Sequence, residues 1–80
     1  MQHFSLNQLR IGEKGEIIEL MGGYGVKKRL NALGIREGKE VTKISSSFLK
    51  GPVTIQAGQS RIAIGYGMAE KILIKKVDKQ

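Results

Sequence analysis

The side chains that could do chemistry in this chain of 80 residues are few and far apart. His3 is the only histidine, there is no cysteine, and the seven acidic residues are scattered. Glu16 and Glu19 come closest to a pair, but a regular strand places residues at that spacing on opposite faces. No set of His, Asp and Glu has the spacing of metal ligands. We therefore predict that the protein is not an enzyme and has no catalytic residue, metal ligand or cofactor.

A glycine-rich segment at 22–25, followed by Lys27 and Lys28, is the one candidate for an anion site. Glycines before a basic helix have the layout of a phosphate site at a helix N-terminus. The spacing, however, fits neither the P-loop nor the dinucleotide-binding fingerprint. We interpret the segment as a flexible turn from a strand into a helix.

Basic residues give the chain a net charge of +7 at pH 7. Such a charge attracts nucleic acid, anionic lipid or an acidic protein surface, and it can equally serve to keep a small domain in solution. A nucleic-acid-binding barrel would add aromatic stacking platforms, whereas the four aromatic residues here are dispersed. The basic stripe of such a barrel would consist of Lys27, Lys28, Arg29, Arg36, Lys39 and Lys43.

Residues 23–33 are the only segment whose apolar residues have helical spacing. They fall at i, i+4 and i+7, on one face of a helix: Val26, Leu30 and Leu33. Gly34 suits the left-handed position that ends a helix, and Ile35 is then placed to contact Leu30 in a Schellman motif. The pattern predicts one short amphipathic helix with a basic outer face.

Five segments have the length and the β-branched composition of short strands. Their bounds are 16–21, 39–45, 53–57, 61–64 and 72–77. The connection 57–60 has the length of a hairpin turn. We expect the helix to close one end of the fold with Leu30 and Leu33. The strand residues expected inside are Ile17, Val41, Val53, Ile55, Ile62, Ile64, Ile72 and Ile74.

Short strands with glycine-rich turns, too few for two full sheets, are typical of a small barrel. We predict a mainly β fold: a five-stranded SH3-like barrel with one short helix inserted between the first and second strands. The whole chain, 1–80, forms one domain with an ordered core at about 5–77. No apolar stretch approaches the ~18 residues of a membrane span, and no signal peptide is apparent. We therefore expect a soluble, cytoplasmic protein.

Four short motifs occur in order along the chain. Leu6, Leu9 and Gly12 lead into the first strand, and the segment 29–38 has the pattern RL-x-x-LGI-x-x-G. A Gly-Pro pair then opens a strand at 51–55, and a closing pattern follows over 61–72. Together these motifs resemble the FeoA family of ferrous iron transport. The motif residues with expected structural roles are Leu30, Leu33, Gly34, Ile35, Gly38, Gly51 and Pro52.

The resemblance implies an SH3-like barrel that serves as an accessory subunit of the FeoB-type membrane transporter, whose cytosolic part binds GTP. It also implies a location in the cytoplasm, at the inner face of the membrane, and a family-level assignment of transition metal ion binding. A domain of the same kind forms the last domain of some iron-dependent repressors of the DtxR type. We expect no stand-alone repressor here, because no helix-turn-helix precedes the domain.

The surface expected to contact the transporter is the basic face of the helix and the turn after it, with Lys27, Lys28, Arg29 and Arg36. Anionic lipid is a further expected partner, since a basic group gains ~1 kcal/mol near such a membrane. In the loop 46–52, Phe48 and Leu49 would either add an apolar anchor or fold back to plug the barrel. Two alternatives stay open: a basic nucleic-acid-binding barrel, and self-association through the exposed edge of an open barrel.

Overall fold

One antiparallel sheet of six strands forms the body of the protein in a computed structural model that describes residues 4–47 and 49–77. Phe48 lies outside the described residues. The strand order across the sheet is β1-β6-β2-β3-β4-β5. The strands are β1 (Phe4–Ser5), β2 (Lys14–Leu20), β3 (Glu40–Ser46), β4 (Val53–Ala57), β5 (Ser60–Ile64) and β6 (Ile72–Lys76). The helices are a 3-10 turn (Leu6–Gln8), α1 (Tyr24–Ala32) and α2 (Tyr66–Ala69).

The predicted mainly β fold with one substantial helix is confirmed, whereas the count of five strands is wrong. The additional strand, β1, has two residues that pair with Ile74 and Leu73 of β6. So short a strand shows no alternation of its own, and it forms only because β6 supplies its hydrogen-bonding partners. As a result α1 lies between the second and third strands of the chain, β2 and β3.

The core lies on the inner side of the sheet. Seven of the eight strand residues expected inside are buried, and the eighth, Ile62, is half-buried beside them. Leu33 differs from its prediction, because 49% of its surface is exposed. The helix ends before Leu33, which is the C-cap. The next apolar residue along the chain, Ile35, is fully buried instead.

The end of α1 is a Schellman motif, as its sequence predicts. Gly34 has a φ of +88°, a left-handed conformation that glycine adopts without steric cost. Its N–H donates to the carbonyl of Asn31, and the N–H of Ile35 donates to the carbonyl of Leu30, each at 2.9 Å. Leu30 and Ile35 are both buried. This motif fixes the direction in which the chain leaves the helix.

A bulge in β2 changes which side chains face the core. In β2 the pairing with β6 shifts at Ile18, so that Ile17 and Leu20 both face inward. Glu16 and Glu19 therefore lie on the same, outer face of the sheet, and the expectation of opposite faces is wrong. A bulge adds one residue to one strand and so reverses the alternation beyond it.

Candidate functional site

The basic face of α1 is exposed, and the turn after the helix adds to it. Lys27, Lys28, Arg29 and Arg36 are all exposed. Lys27 and Arg36 line one surface depression of about 300 Å³. Its other lining residues are Leu20, Asn31 and Glu37. Lys28 and Arg29 do not line it, so two of the four basic candidates share a concave site and the other two flank it on the helix.

The geometry of this depression follows from the ends of α1. The helix begins after Gly23, whose extended backbone supplies no side-chain cap, and its first residue, Tyr24, is 79% exposed. At the other end the Schellman motif turns the chain back, which brings Arg36 to the side of the helix that carries Lys27. A cation in the last turn also interacts favourably with the negative end of the helix dipole. Arg29 lies in that turn, so its charge also stabilises the helix itself.

The loop after β3, residues 47–52, is separate from this basic face. Leu49 is 81% exposed, and the N–H of Ser47 donates to the carbonyl of Pro52 at 3.0 Å, which closes the loop. Arg36 precedes β3 and the loop follows it, so the length of the strand, about 20 Å at 3.3 Å per residue, separates them. Leu49 and Arg36 therefore lie near opposite ends of β3.

Backbone strain accompanies the exposure of this loop. Leu49 and Lys50 have φ values of +57° and +61°, and the left-handed region costs a non-glycine residue about 1–2 kcal/mol. The Lys50 ammonium lies 5.9 Å from the centre of the Tyr66 ring, within the range of a cation–π interaction. This contact ties the loop to α2.

Lys43 is not part of a basic surface stripe, because its side chain is buried. In β3 the pairing with β4 shifts at Ile44, and Lys43 lies opposite Ile55 on the inner face with 4% of its surface exposed. Its ammonium donates a hydrogen bond to the backbone carbonyl of Asn7 at 3.1 Å. Burial lowers the pKa of Lys43 below its usual range, because water no longer solvates the charged form. Lys43 is two residues after Val41, so the alternation of β3 places both on the inner face, and the expectation of Lys43 in a surface stripe is wrong.

Asn7 connects Lys43 to α2. Its side-chain amide donates to the carbonyl of Tyr66 at 3.1 Å and to the carboxylate of Glu70 at 2.9 Å. Its Oδ1 is buried and has no hydrogen-bond partner among the described residues. Lys43, Asn7 and α2 thus form one polar cluster at the end of the sheet where the loop 47–52 also lies.

Polar residues on the outer face of the sheet form a second charged surface. Lys14, Thr42, Gln56 and Arg61 follow one another across four neighbouring strands in register. The Arg61 guanidinium donates to the side-chain carbonyl of Gln56 at 3.0 Å. A depression of about 350 Å³ lies over this row. Its lining residues are Lys14, Lys39, Glu40, Thr42, Gln56 and Gly58.

Acidic residues do not gather into a metal site. In the described ranges 4–47 and 49–77, no three His, Cys, Asp or Glu side chains lie close enough together to hold a metal ion. The carboxylate of Glu13 interacts with groups of the protein itself. Its Oε1 accepts a hydrogen bond from the backbone N–H of Arg10 at 2.8 Å, and its Oε2 lies 3.7 Å from the ammonium of Lys76. That backbone hydrogen bond, helped by Lys76, lowers the pKa of Glu13. The described donor set does not fit a resident transition metal. His3 lies outside the described residues.

No helix within the described part of the chain has the length and apolar character needed to cross a membrane.

These features define a small SH3-like β domain with one helix that connects β2 to β3. The FeoA domain model matches residues 4–76. A protein of Methanocaldococcus jannaschii described as an Fe(2+) transport protein A is 34% identical over 67 residues, which are 84% of this chain and 79% of that protein. The chain belongs to the FeoA family. Members of this family have a small accessory fold with a role in ferrous iron transport, and the family is not a known enzyme family.

Solved structures agree with the assignment. The crystal structure of an iron uptake regulatory protein (FeoA) is 27% identical, with a TM-score of 0.86, and the match covers 96% of this chain and all of that one. A FeoA-like protein from Clostridium acetobutylicum is 18% identical, with a TM-score of 0.86 over 100% of this chain and 93% of that one. A manganese-dependent transcriptional repressor is 13% identical, with a TM-score of 0.85 over 94% of this chain and 42% of that one. These last two similarities show the fold alone.

Proposed function

We propose that the protein is an accessory protein of ferrous iron transport that docks on the cytosolic GTP-binding part of a FeoB-type membrane transporter. The contact surface is the basic face of α1 with the turn after it. The single observation that carries this proposal is the convergence of Lys27 and Arg36 on one depression. The lining has two cations and one carboxylate, that of Glu37, so its net charge is positive and fits an acidic patch on a partner protein.

The packing of α1 supports a recognition role for this surface. Leu30 and Ile35 anchor the helix and its exit in the core, so Lys27 and Arg36 are carried on a fixed backbone. A preorganised surface loses less conformational entropy on binding than a mobile one. The two cations have no salt-bridge partner within 4.0 Å among the described residues, which leaves their charges available to a partner at the inner face of the membrane.

The test is a titration of the isotope-labelled protein with the transporter's cytosolic domain, followed by NMR. We expect chemical shift changes over residues 23–38. The double variant Lys27→Gln/Arg36→Gln should weaken binding about tenfold, roughly 1.4 kcal/mol. The control Arg10→Gln/Lys75→Gln removes the same charge at two exposed positions outside the depression and should change the affinity by less than about threefold, because charges at a distance act mainly through screened steering.

Two results would contradict the proposal. If the cytosolic domain causes no shift changes anywhere in the protein, docking on that domain is wrong. If the two double variants weaken binding equally, the affinity depends on net charge, and the contact is not at Lys27 and Arg36.

A further inference from the structure

The edge of the sheet at β5 is open. β5 is the last strand in the sheet order and pairs only with β4. Within 4–47 and 49–77, no backbone N–H or C=O of residues 60–64 makes a hydrogen bond outside the pairing with β4. The opposite edge, β1, has only two residues. The long free edge of this sheet is therefore β5.

The register of the β4–β5 hairpin tells which backbone groups are free. Gly58 and Gln59 form a two-residue turn, and Gly58 has a φ of +64°, as the first position of a type II′ turn requires. Ala57 and Ser60 are then a hydrogen-bonded pair, and such pairs alternate along the strands. The backbone N–H and C=O groups of Ser60, Ile62 and Ile64 form hydrogen bonds with β4. Arg61 and Ala63 direct theirs to the open edge.

Devices that normally protect an edge strand are missing from β5. Proteins block such edges with proline, bulges, several lysines or a very short strand. β5 has five residues, one charged side chain and no proline, and its pairing with β4 continues without a register shift. Ile62 is only half-buried although it faces the core side, so the edge also leaves apolar surface uncovered.

The charges around the edge select the kind of strand that fits. Arg61 lies on the outer face at the end of the row that includes Gln56, Thr42 and Lys14. β5 itself has no acidic residue, and two copies of a chain with net charge +7 repel each other. A second copy is therefore a poor occupant, whereas an acidic strand is complementary to this face.

We propose that β5 accepts an extended strand of the partner protein by β-augmentation, as an antiparallel addition. In such a pair, residues opposite each other share a face. The partner residues opposite Arg61 and Ala63 would be acidic or polar, and the residue between them, opposite Ile62, would be apolar. The hydrogen bonds would form to the free N–H and C=O groups of Arg61 and Ala63. The identity of the partner rests on the proposed function, and β5 would be a second contact besides the α1 face.

Amide hydrogen exchange, measured by NMR with and without the transporter's cytosolic domain at saturation, tests this directly. We expect the amides of Arg61 and Ala63 to exchange at least about tenfold more slowly in the complex, since a new hydrogen bond protects them. The amide of Ile62, which already bonds to β4, should change little. An alternating pattern of this kind is specific to strand addition.

A pair of variants at one position separates the backbone from the side chain. Ala63→Pro removes the N–H at an edge position, where proline is tolerated in a sheet, and should weaken binding about tenfold or more. Ala63→Val keeps the N–H and should bind within about threefold of the parent protein. A dispersed NMR spectrum verifies that Ala63→Pro is folded. If that variant unfolds, the exchange pattern of the parent protein decides the question.

The outcomes distinguish this inference from the proposed function. Binding with shifts at the α1 face but without protection of Arg61 and Ala63 overturns strand addition and leaves the proposed docking intact. No binding at all overturns both. Protection of the two amides in the free protein that rises with concentration, together with dimers in sedimentation, assigns the edge to a second copy and overturns the inference.

Discussion

Replacing the buried Lys43 with methionine should stabilise the protein. The lysine stem packs inside the sheet opposite Ile55, while its ammonium makes one hydrogen bond, to the carbonyl of Asn7, among the described residues. Methionine keeps an apolar stem of similar length and removes the charge. The substitution thus removes the buried ammonium together with the hydrogen bond that it donates to Asn7, and it leaves the apolar packing nearly unchanged.

Two opposing contributions set the size of the effect. Burying one ion costs several kcal/mol, whereas the hydrogen bond from a charged donor contributes about 1.5–3 kcal/mol. The difference favours Lys43→Met by about 1–2 kcal/mol. In a domain of this size, 1 kcal/mol shifts the melting temperature by about 4–8 °C. We therefore expect the variant to melt roughly 5–10 °C above the parent protein.

The dependence on pH identifies the cause. Because the folded-state pKa of Lys43 is lowered, the unfolded chain binds more protons between the folded and the unfolded pKa, so the stability of the parent protein rises with pH across that interval. The cost of burial is fully present below the folded pKa and disappears above the unfolded one. Lys43→Met should lack this rise, and its advantage should shrink as the pH approaches about 10.5.

The measurement is urea or thermal unfolding, followed by far-UV circular dichroism, between pH 7 and 10.5. The matched control is Lys75→Met, which replaces an exposed lysine of β6 and should change stability by no more than about 0.5 kcal/mol. A Lys43→Met variant that is less stable than the parent protein at pH 7, or one whose stability keeps the same rise with pH, would refute the reasoning.

Three further predictions concern positions away from Lys43. Gly34→Ala should lower the free energy of unfolding by about 1–2 kcal/mol, because the φ of +88° at this position is unfavourable for alanine. Gly25→Ala within α1 should raise the free energy of unfolding by about 0.5–1 kcal/mol, because the space around Gly25 is open. Urea unfolding measures both changes. Leu33→Lys should change that free energy by less than about 0.5 kcal/mol, since the side chain is 49% exposed. Glu13→Gln should reduce the loss of stability in acid, because a lowered folded-state pKa gives stability that is present above the unfolded pKa and lost as the pH falls through the folded one; thermal unfolding from pH 2 to 7 measures it.

Each of these has a clear contrary result. Equal signs for the two glycine variants would mean that backbone conformation does not control them. A large loss with Leu33→Lys would place that side chain in the core after all. Unchanged acid sensitivity of Glu13→Gln would show that the hydrogen bond from Arg10 does not persist in solution.

Local signals predicted the parts of the fold that depend on neighbours in sequence. The Schellman end of α1 was predictable from Gly34 and Ile35 because its hydrogen bonds span a few residues. The helical spacing that included Leu33 failed for the same local reason: the turn at Gly34 ends the helix, and Ile35 takes the buried place. β1 could not be predicted, because β6 supplies its pairing.

The site was predictable to the extent that it lies on one element. Lys27 was expected on the outer face of the helix, and the turn after the helix brought Arg36 beside it. Leu49 was grouped with them only through its chemistry, and the length of β3 separates it. The inward position of Lys43 follows from its two-residue spacing from Val41 in β3. Its charge favoured an exposed position, and the Asn7 carbonyl that accepts its hydrogen bond is 36 residues away in the sequence. The open edge at β5 likewise follows from the order of all six strands.

The position of β6 between β1 and β2 has a consequence for the folding pathway. Ile17 of β2 pairs with Ile74, and Phe4 pairs with the same residue from the other side. β1, β6 and β2 can therefore pair only after the two ends of the chain have come into contact. Such long loop closures slow folding to milliseconds or seconds in β-rich domains. The β4–β5 hairpin and α1 involve only local contacts and can form earlier. Until β6 arrives, β2 presents an unpaired edge, and the interval before that step is when the chain is most exposed to aggregation.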